Sequence, residues 1–495
     1  MLRRTAPLAL LCALCGIAAL AQNQSASANP VTKELAPFVK VDAPAIVLVH
    51  VRVIDGTGAP AKDDQTVVIE KGKITAVRPF AGDDIGPFNA KLIDLTGKTV
   101  FPGLVGMHEH LFYPLPGGGP GLLPLYGEMA DSAPRLYLAG GVTAARTAGS
   151  LEPYTDISIK QLIDAGSMPG PRLFLTGPYL EGSPSIGPQL HTLTGPDDAA
   201  RLVNYWADEG MTSFKAYMHI TPDELKAAVD AAHTHGLKIT GHLCAVGFKE
   251  AASLGIDNLE HGLVVDTEFY SGKKEGVCPG QHPPQAELAK MDVEGPQIQG
   301  TIQYLIDHHV AVTSTLAIFE SFAPNRPPMT QEMRLRETLL PDAWGSFVTT
   351  RAMIAQRAEE APAESISGRL LQMEMQFEHD FVKEGGVLMA GCDPTGYGGV
   401  LPGFGDQRNL ELLVEAGFTP EQAIHIATEN GAHWLGEDEH FGTVAPGKDA
   451  DLVLVDGNPS KNIADVEKVD TVFKDGIGYD PQKLIESVRG LVGLR

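Results

Sequence analysis

The pattern of apolar and polar positions divides the chain into an outer and an inner part. Residues 45–101 contain near-alternating apolar runs, including 46–54, and a glycine-containing turn at 71–73 separates two further runs. Such alternation predicts strands, and two runs around a tight turn predict a hairpin. The same pattern returns after about residue 441. We therefore expect one small β-sandwich domain from 45–101 plus 441–480, followed by a C-terminal tail over 481–495.

Residues 102–440 follow another pattern, in which short apolar runs alternate with helical segments, and this predicts βα units around a parallel sheet. Eight such units closing on themselves predict an α/β fold with a (β/α)8 TIM-like barrel. Segments 264–300 and 320–380 are expected to be insertions over the active face. The strand-like runs are 104–110, 142–146, 172–175, 213–216, 238–242, 258–261, 311–314 and 387–391.

The first residues have the pattern of a targeting segment. Arg3 and Arg4 precede an apolar stretch over 6–20, and Ala19 and Ala21 fit a small-residue cleavage site. This predicts a secretory signal peptide over 1–21, a flexible leader over 22–44, and export to the periplasm or the extracellular medium. Later segments are too short or too polar to predict a span, so we expect no membrane contact after signal cleavage.

Composition and charge narrow the class of partner. A hydrophobic content of 43% supports a sizeable core, and a net charge of -24 disfavours nucleic acids and anionic membranes as partners. Beyond the signal the chain has Cys244, Cys278 and Cys392, which allow at most one internal disulfide. This count excludes a cysteine-rich zinc site, and a small-molecule substrate remains the expected partner.

Residues able to bind metal recur where the predicted barrel strands end. His108 and His110 are two positions apart, so their side chains point to the same face of a strand. Neutral imidazole and carboxylate groups suit Zn²⁺. A lysine in an apolar strand also needs a partner. One histidine pair is weak evidence, but its combination with four more residues predicts a metal site. Those four are Lys215, His242, His261 and Asp393.

The residues around these positions resemble the amidohydrolase superfamily, and within it the imidazolonepropionase-related branch that includes prolidase-like dipeptidases. The resemblance covers most of the mature chain and implies the barrel and the small β-sandwich. It also implies two divalent metal ions, for which Zn²⁺ is expected. The segments that carry it are 101–110, 214–217, 241–242, 260–262, 391–394 and 442–452.

The resemblance also implies a role for each ligand. A carboxylated Lys215 bridges the two metals, and a hydroxide between them attacks the substrate carbonyl. Asp393 binds the first metal and passes the proton to the leaving amine. The first metal is also held by His108 and His110, and the second by His242 and His261.

Three residues are candidates for substrate binding. Tyr217 lies two positions after Lys215 and shares its face. His191 lies in the glycine- and proline-rich loop over 183–194, and Tyr397 lies in a glycine-rich loop directly after Asp393. For each of them a structural role remains the alternative.

The sequence therefore predicts an exported binuclear hydrolase that cleaves the amide bond of a dipeptide or an N-acyl amino acid. A cyclic amide, lactone or ester hydrolase is an alternative, because one site can attack all of these bonds. A non-catalytic metal-stabilised binding protein, or a deaminase with one metal, are further alternatives. Metal identity stays open. Barrel hydrolases often form homo-oligomers, and the sequence sets no stoichiometry.

Overall fold

A computed structural model of the chain describes residues 31–82, 86–87, 89–115, 125–327, 329–362 and 365–493. The predicted signal peptide over 1–21 and the first part of the predicted leader lie outside the described residues. Within the described ranges, no helix has both the length and the apolar character needed to cross a bilayer.

The first regular elements of the described chain are mainly strands, as the alternating pattern predicts. A tight turn joins the third and fourth of them, with positive φ at Lys71 (51°) and Gly72 (79°), the conformation that a two-residue hairpin turn requires. The six strands before the barrel are β1 (Val39–Val41), β2 (Ala45–Val53), β3 (Lys62–Glu70), β4 (Lys73–Pro79), β5 (Lys91–Asp94) and β6 (Lys98–Pro102).

Parallel strands follow, each at a predicted apolar run. They pair in the orders β11-β10-β7 and β12-β13-β14-β15-β16. A bridge between Thr176 and Ser213 joins the two groups, and the N–H of Asp393 donates to the C=O of His108 at 3.0 Å on the other side. The α/β fold with a barrel-like parallel sheet is therefore as expected. The strands are β7 (Leu104–Glu109), β10 (Val142–Thr147), β11 (Arg172–Phe174), β12 (Ser213–Ala216), β13 (Lys238–Gly241), β14 (Asn258–Glu260), β15 (Ala311–Ser314) and β16 (Leu388–Ala390), with a hairpin of β8 (Phe112–Pro114) and β9 (Tyr126–Glu128) after β7.

Helices alternate with the barrel strands, and many begin with a proline, whose missing N–H costs nothing at that position. In α4, Thr221 and Glu224 also form a reciprocal capping box. The helices are α1 (Ser132–Ala139), α2 (Pro153–Asp164), α3 (Pro196–Asp208), α4 (Pro222–Thr234), α5 (Phe248–Leu254), α6 (His282–Leu288), α7 (Pro296–Asp307), α8 (Leu316–Phe322), α9 (Met329–Thr338), α10 (Pro341–Glu360), α11 (Ser367–Lys383), α12 (Phe404–Glu415), α13 (Pro420–Ile426), α14 (Glu429–Leu435) and α15 (Pro481–Val488).

The two predicted insertions are partly helical. A disulfide between Cys244 and Cys278 ties the segment after β13 to the insertion over 264–300, while Cys392 is free and buried. The insertion predicted over 320–380 contains α9 and α10, but it ends before α11 rather than at residue 380. Helix α11 buries Phe377 and Phe381 in the main core and serves as the outer helix that follows β15.

Both chain ends contribute to one nine-stranded sheet, ordered β1-β19-β18-β17-β6-β2-β3-β4, with β5 paired to β2. Apolar side chains from the two ends, including Leu48, Val67 and Phe473, share one buried cluster. The expected division of this sheet into a sandwich remains a prediction. The C-terminal strands are β17 (Leu452–Asp456), β18 (Val469–Lys474) and β19 (Ile477–Tyr479).

The ends of the described chain correct two expectations. The leader predicted over 22–44 is ordered in its described part, because β1 pairs with β19 and Leu35 is buried in a cluster with Leu484. The tail predicted over 481–495 begins with the helix α15, which packs on α1 and buries Leu484 and Val488. Each segment is short, and its apolar face gains a partner only when the barrel has formed.

Arg172 connects the barrel to the terminal sheet. It lies at the start of β11, and its guanidinium nitrogens are 3.0 Å from Oδ2 of Asp451 and 2.7 Å from Oδ1 of Asp475. The side chain of Asp451 is almost fully buried. A buried carboxylate that loses its cation keeps the free-energy cost of desolvation but loses the attraction that offsets it. This contact should therefore contribute strongly to stability.

We expect Arg172→Met to lower the free energy of unfolding by about 3 kcal/mol, because it leaves Asp451 buried without its cation. Urea denaturation followed by tryptophan fluorescence measures the change. The control is Lys226→Met, which removes an exposed pair with Asp230 and should cost less than about 0.5 kcal/mol. Equal costs for the two variants would contradict the proposed role of Arg172.

Candidate metal centre

The six residues predicted as metal ligands line one cavity at the C-terminal ends of the barrel strands. Parallel barrel strands all end on the same face, so side chains that follow different strands converge there. Strands β7 and β12 supply one each, and the positions after β7, β13, β14 and β16 supply the others. In chain order they are His108, His110, Lys215, His242, His261 and Asp393.

Asp393 lies at the centre of this group. Its Oδ1 is 3.5 Å from Nε2 of His110 and 3.7 Å from Nε2 of His108, and its Oδ2 is 3.8 Å from Nδ1 of His261. The ring of His261 is also 4.6 Å from that of His242, measured between centroids. Two ligands of one Zn²⁺, each about 2 Å from it, lie about 3–4 Å apart. The observed spacing therefore suits a shared ion.

Behind the cavity, Glu260 orients His108. Its Oε2 is 2.7 Å from Nδ1 of His108, its Oε1 is 2.7 Å from a guanidinium nitrogen of Arg146, and Thr240 donates to the same oxygen at 2.5 Å. Burial alone would raise the pKa of Glu260, but Arg146 and His108 hold it well below its ordinary value. The carboxylate thus keeps a proton on Nδ1 and leaves the Nε2 lone pair facing the cavity.

Two of the predicted ligands have a left-handed backbone, His261 with φ 69° and Asp393 with φ 48°. Alternation in a continued strand would place neighbouring residues on opposite faces, so the break after Glu260 lets His261 reach the same interior. The N–H of His261 donates to the C=O of Thr313 at 3.0 Å and fixes this turn. Such conformations cost about 1–3 kcal/mol each and concentrate at functional sites.

The histidines are suited to bind metal because burial lowers their pKa. The pKa falls to about 4 in His110 and about 3 in His242, and it is also lowered in His108 and His261. The rings are therefore uncharged at neutral pH and keep their lone pairs. In the described part of the chain, buried Nδ1 of His110 has no hydrogen-bond partner. These residues fit divalent metal ions.

Lys215 is buried in the same cavity. Its Nζ is 3.2 Å from Nε2 of His108 and 5.5 Å from the ring centroid of Tyr179. Burial lowers the pKa of Lys215 to about 8, although Glu260 and Asp393 oppose this shift. About a tenth of the side chain is therefore a free amine at pH 7, far more than at the ordinary pKa of lysine. That form can react with CO₂, whereas the ammonium would repel a bound dication.

Asp393 is ionised within the group. Burial alone would raise its pKa, but the nearby His108, His110 and His261 hold the pKa well below its ordinary value. The hydroxyl of Thr395 donates to Oδ1 of Asp393 at 2.8 Å. This carboxylate can therefore accept a proton from a group that enters the cavity.

Of the predicted substrate residues, Tyr217 lines the cavity, with its ring centroid 5.2 Å from that of His242. His191 does not line it, which corrects the prediction for that residue. Its Nε2 lies 2.9 Å from Oδ2 of Asp198, beside the start of α3. The loop therefore directs His191 to the helix end, and the neighbouring positions 186–190 face the cavity instead.

Tyr397 also lies outside the residues that line the cavity, which corrects the second substrate prediction. Its hydroxyl donates to the C=O of Ser321 at 2.5 Å, and its ring stacks against Phe347 with centroids 5.7 Å apart. The glycine-rich loop after Asp393 thus packs against α8 and α10. A lid role for Tyr397 has no support in these contacts.

Several residues of the site were not predicted. Glu260 had a usable signal, since a carboxylate in an apolar strand needs a partner, as Lys215 does. The amide of Gln281 lies 3.2 Å from Nε2 of His242 and comes from the insertion over 264–300. Tyr126 and Tyr179 line the cavity from distant segments, and the sequence offered no signal for either.

Gln189 closes one side of the cavity. Its amide oxygen accepts from the N–H of Tyr126 at 2.8 Å, and its amide nitrogen donates to the C=O of Tyr126 at 2.8 Å. This pair of bonds holds the loop over 183–194 against the hairpin of β8 and β9. Both segments are therefore fixed as walls of the cavity.

The reverse face of β7 holds another buried group, formed by Glu109, Cys392 and Asp406. Sγ of Cys392 is 3.0 Å from Oε2 of Glu109. Burial raises the pKa of Glu109 and of the Cys392 thiol well above their ordinary values. Both groups therefore remain protonated, and the cluster supports β7 and β16 from behind.

Comparison with known proteins adds sequence and fold relationships. A profile of the Amidohydrolase family matches residues 379–477. The D-hydantoinase of Streptomyces coelicolor is 22% identical over 426 residues, which is 80% of this chain and 83% of that protein. The segment matched by the family profile includes Asp393 and the return to the terminal sheet.

Solved structures share the fold. A putative prolidase from Bifidobacterium longum superposes with a TM-score of 0.63 at 23% identity, covering 91% of this chain and 100% of the other. A Xaa-Pro dipeptidase with bound methionine gives a TM-score of 0.63 at 21% identity, covering 88% and 100%. At these identities the likeness concerns the fold.

We expect Glu260→Gln to weaken metal binding about 10–100-fold, because the amide cannot supply the charge that fixes the His108 tautomer. Dialysis against buffered Zn²⁺, followed by elemental analysis, measures the affinity. Glu415→Gln, on the outer surface of α12, is the control and should bind as the wild type does. Unchanged affinity in Glu260→Gln would show that His108 is oriented without it.

We expect His110→Gln to flatten the pH dependence of stability in metal-free protein. The folded pKa of His110 is about 4 and the unfolded value is about 6.5, so below pH 6.5 the unfolded chain binds the extra proton. Wild type therefore loses about 3 kcal/mol from this group as pH falls from 6.5 to 4. The variant should lack that loss in urea denaturation at several pH values. Parallel profiles would contradict a neutral buried His110.

Proposed function

We propose that this chain, a member of the amidohydrolase superfamily and a hydrolase of carbon–nitrogen bonds, cleaves a small-molecule amide with a binuclear metal centre. The observation that carries the proposal is the convergence of four neutral histidines, one ionised carboxylate and the buried Lys215 on a single cavity. A buried lysine within 3.2 Å of a ligand nitrogen is hard to explain without an anion-forming modification and a cationic partner.

Two ions would be held by the six ligands, with Lys215 shared between them. When bound, divalent ions such as Zn²⁺ supply a Lewis acid for the carbonyl and lower the pKa of water. Lys215 prepares this site through its own chemistry. Its free amine adds to the carbon of CO₂, a proton leaves, and the carbamate product carries an anionic oxygen in place of an ammonium.

Asp393 handles the proton in amide cleavage. As water adds to the carbonyl carbon, a carboxylate oxygen of Asp393 accepts the proton that the water loses. The C–N bond then breaks, and Asp393 returns that proton to the amine nitrogen, which would otherwise be a poor leaving group. Thr395 keeps the carboxylate oriented through its hydrogen bond to Oδ1.

A dipeptide or an N-acyl amino acid is the first substrate class to test, since two structural neighbours are described as a Xaa-Pro dipeptidase and a putative prolidase. Cyclic amides are the second candidate. They are favoured by the likeness to a D-hydantoinase, which extends over 80% of the chain.

We also propose that the protein is exported. The targeting pattern over 1–21 supports this, and so does the disulfide between Cys244 and Cys278, because disulfides persist in oxidising compartments. Periplasm or extracellular medium is the proposed location. Assembly into a homo-oligomer stays a prediction.

We expect about two metal ions per chain in the wild type and a loss of both the bridged pair and amide hydrolysis in Lys215→Ala. Elemental analysis and a library of dipeptides, N-acyl amino acids and cyclic amides measure the two effects. Lys238→Ala is the matched control, because Lys238 also lies on a barrel strand but donates to the C=O of Trp434. It should keep metal and activity.

Other outcomes would redirect the proposal. Two ions that survive the loss of Lys215 would exclude a bridging carbamate. One ion per chain, with release of ammonia from an aminated ring, would favour a deaminase. Bound metal without turnover on amides, esters and lactones would favour a non-catalytic binding protein.

A further inference from the structure

One wall of the cavity is aromatic. Phe112 stacks on His110 with ring centroids 4.5 Å apart, and Tyr126 lies 4.9 Å from Phe112. Tyr179 lies 6.4 Å from the ring of His110 and 4.7 Å from Tyr217. A substrate that reaches the predicted ligands therefore meets several rings, which favour flat or apolar groups.

The rest of the outer wall is largely aliphatic. Leu151 follows β10, and Ile186 and Leu190 come from the loop over 183–194, which Gln189 ties to Tyr126. Pockets of this kind take their affinity from apolar contact and use a few polar groups for orientation. Here the polar side chains beside the predicted ligands are tyrosine, glutamine and threonine, which carry no charge.

The basic side chains closest to the cavity are already engaged. Among the described residues that line the cavity, Lys215 alone bears an ammonium or guanidinium group, and it belongs to the ligand set. Arg146 lies behind the cavity and donates to Glu260 and to the C=O of Met107. Lys273, on the insertion, donates to three backbone carbonyl groups, including that of Cys244 at 2.6 Å.

The overall charge of the chain acts in the same direction. The chain as a whole has a net charge of -24, and a field of this sign repels anions on approach.

From these charges and this wall we propose that the substrate is an uncharged amide with an aromatic or apolar arm, and that it lacks a free carboxylate beside the scissile bond. The inference rests on the proposed amide hydrolysis and narrows its substrate class. It moves the expectation away from free dipeptides and N-acyl amino acids, whose carboxylate would enter the cavity without a basic side chain to pair with.

The size of the preference follows from the cost of an unpaired charge. A carboxylate that leaves water and finds no basic side chain to pair with loses hydration that uncharged polar side chains restore only in part. We expect the neutral ligand to bind at least about tenfold more tightly than its carboxylate analogue.

The test uses metal-loaded enzyme and two matched pairs of probes. N-benzoyl-2-phenylethylamine and N-benzoylphenylalanine differ only by the carboxylate, and benzoate release gives kcat/KM for each. The corresponding benzenesulfonamides resist hydrolysis, so calorimetry on them gives Kd without turnover. The neutral member should be preferred at least about tenfold in both measurements.

A charge introduced at the wall provides the second arm. In Leu190→Arg the new guanidinium should improve binding of the carboxylate sulfonamide at least about tenfold, while Leu190→Gln should leave the order of the two ligands unchanged. If the arginine variant unfolds at a lower temperature than the glutamine variant, Leu151→Arg replaces it, because Leu151 also lines the cavity.

The outcomes separate the two proposals. Equal or tighter binding of the carboxylate ligand to wild type would overturn the inference, whatever the activity. Preference for the neutral sulfonamide without benzoate release from either amide would support the cavity's selectivity and count against amide hydrolysis. Preference in both binding and turnover supports the inference and the proposed function together.

Discussion

The buried Glu260 carboxylate is the contact on which the arrangement of the site depends. It accepts hydrogen bonds from His108, Arg146 and Thr240, which belong to three other barrel strands. An ion this deep in a protein is stable only when every charge is matched. This requirement therefore fixes the relative positions of the ends of β7, β10, β13 and β14. The geometry of the predicted ligands at these strand ends depends on it.

Strand positions were well predicted from the sequence, because each barrel strand is a short run of mainly apolar residues between helical segments. The candidate ligand set was predicted from the same local pattern. His108 and His110 share a face of one strand, and Lys215 lies in an apolar run where a charge is costly. These signals are local, so they can be recognised in the sequence without knowledge of the fold.

Contacts between distant segments could not be predicted in this way. Gln281, from the insertion over 264–300, contacts His242. Tyr126 lines the cavity because Gln189 holds it there through hydrogen bonds. His191 and Tyr397 were placed at the site by sequence proximity to it, yet each side chain has a better partner elsewhere. The path of a loop is determined by such long-range contacts, which produce no periodic pattern in the sequence.

The left-handed backbone at His261 and Asp393 also bears on how this protein could drift over evolutionary time. Asparagine is among the non-glycine residues most often found in that conformation. A single-base change in a codon converts either histidine or aspartate to asparagine. At these two positions the chain can therefore lose a ligand while keeping its backbone. A folded, inactive descendant with an intact aromatic cavity lies within easy mutational reach, and such a protein would be free to bind what its ancestor cleaved.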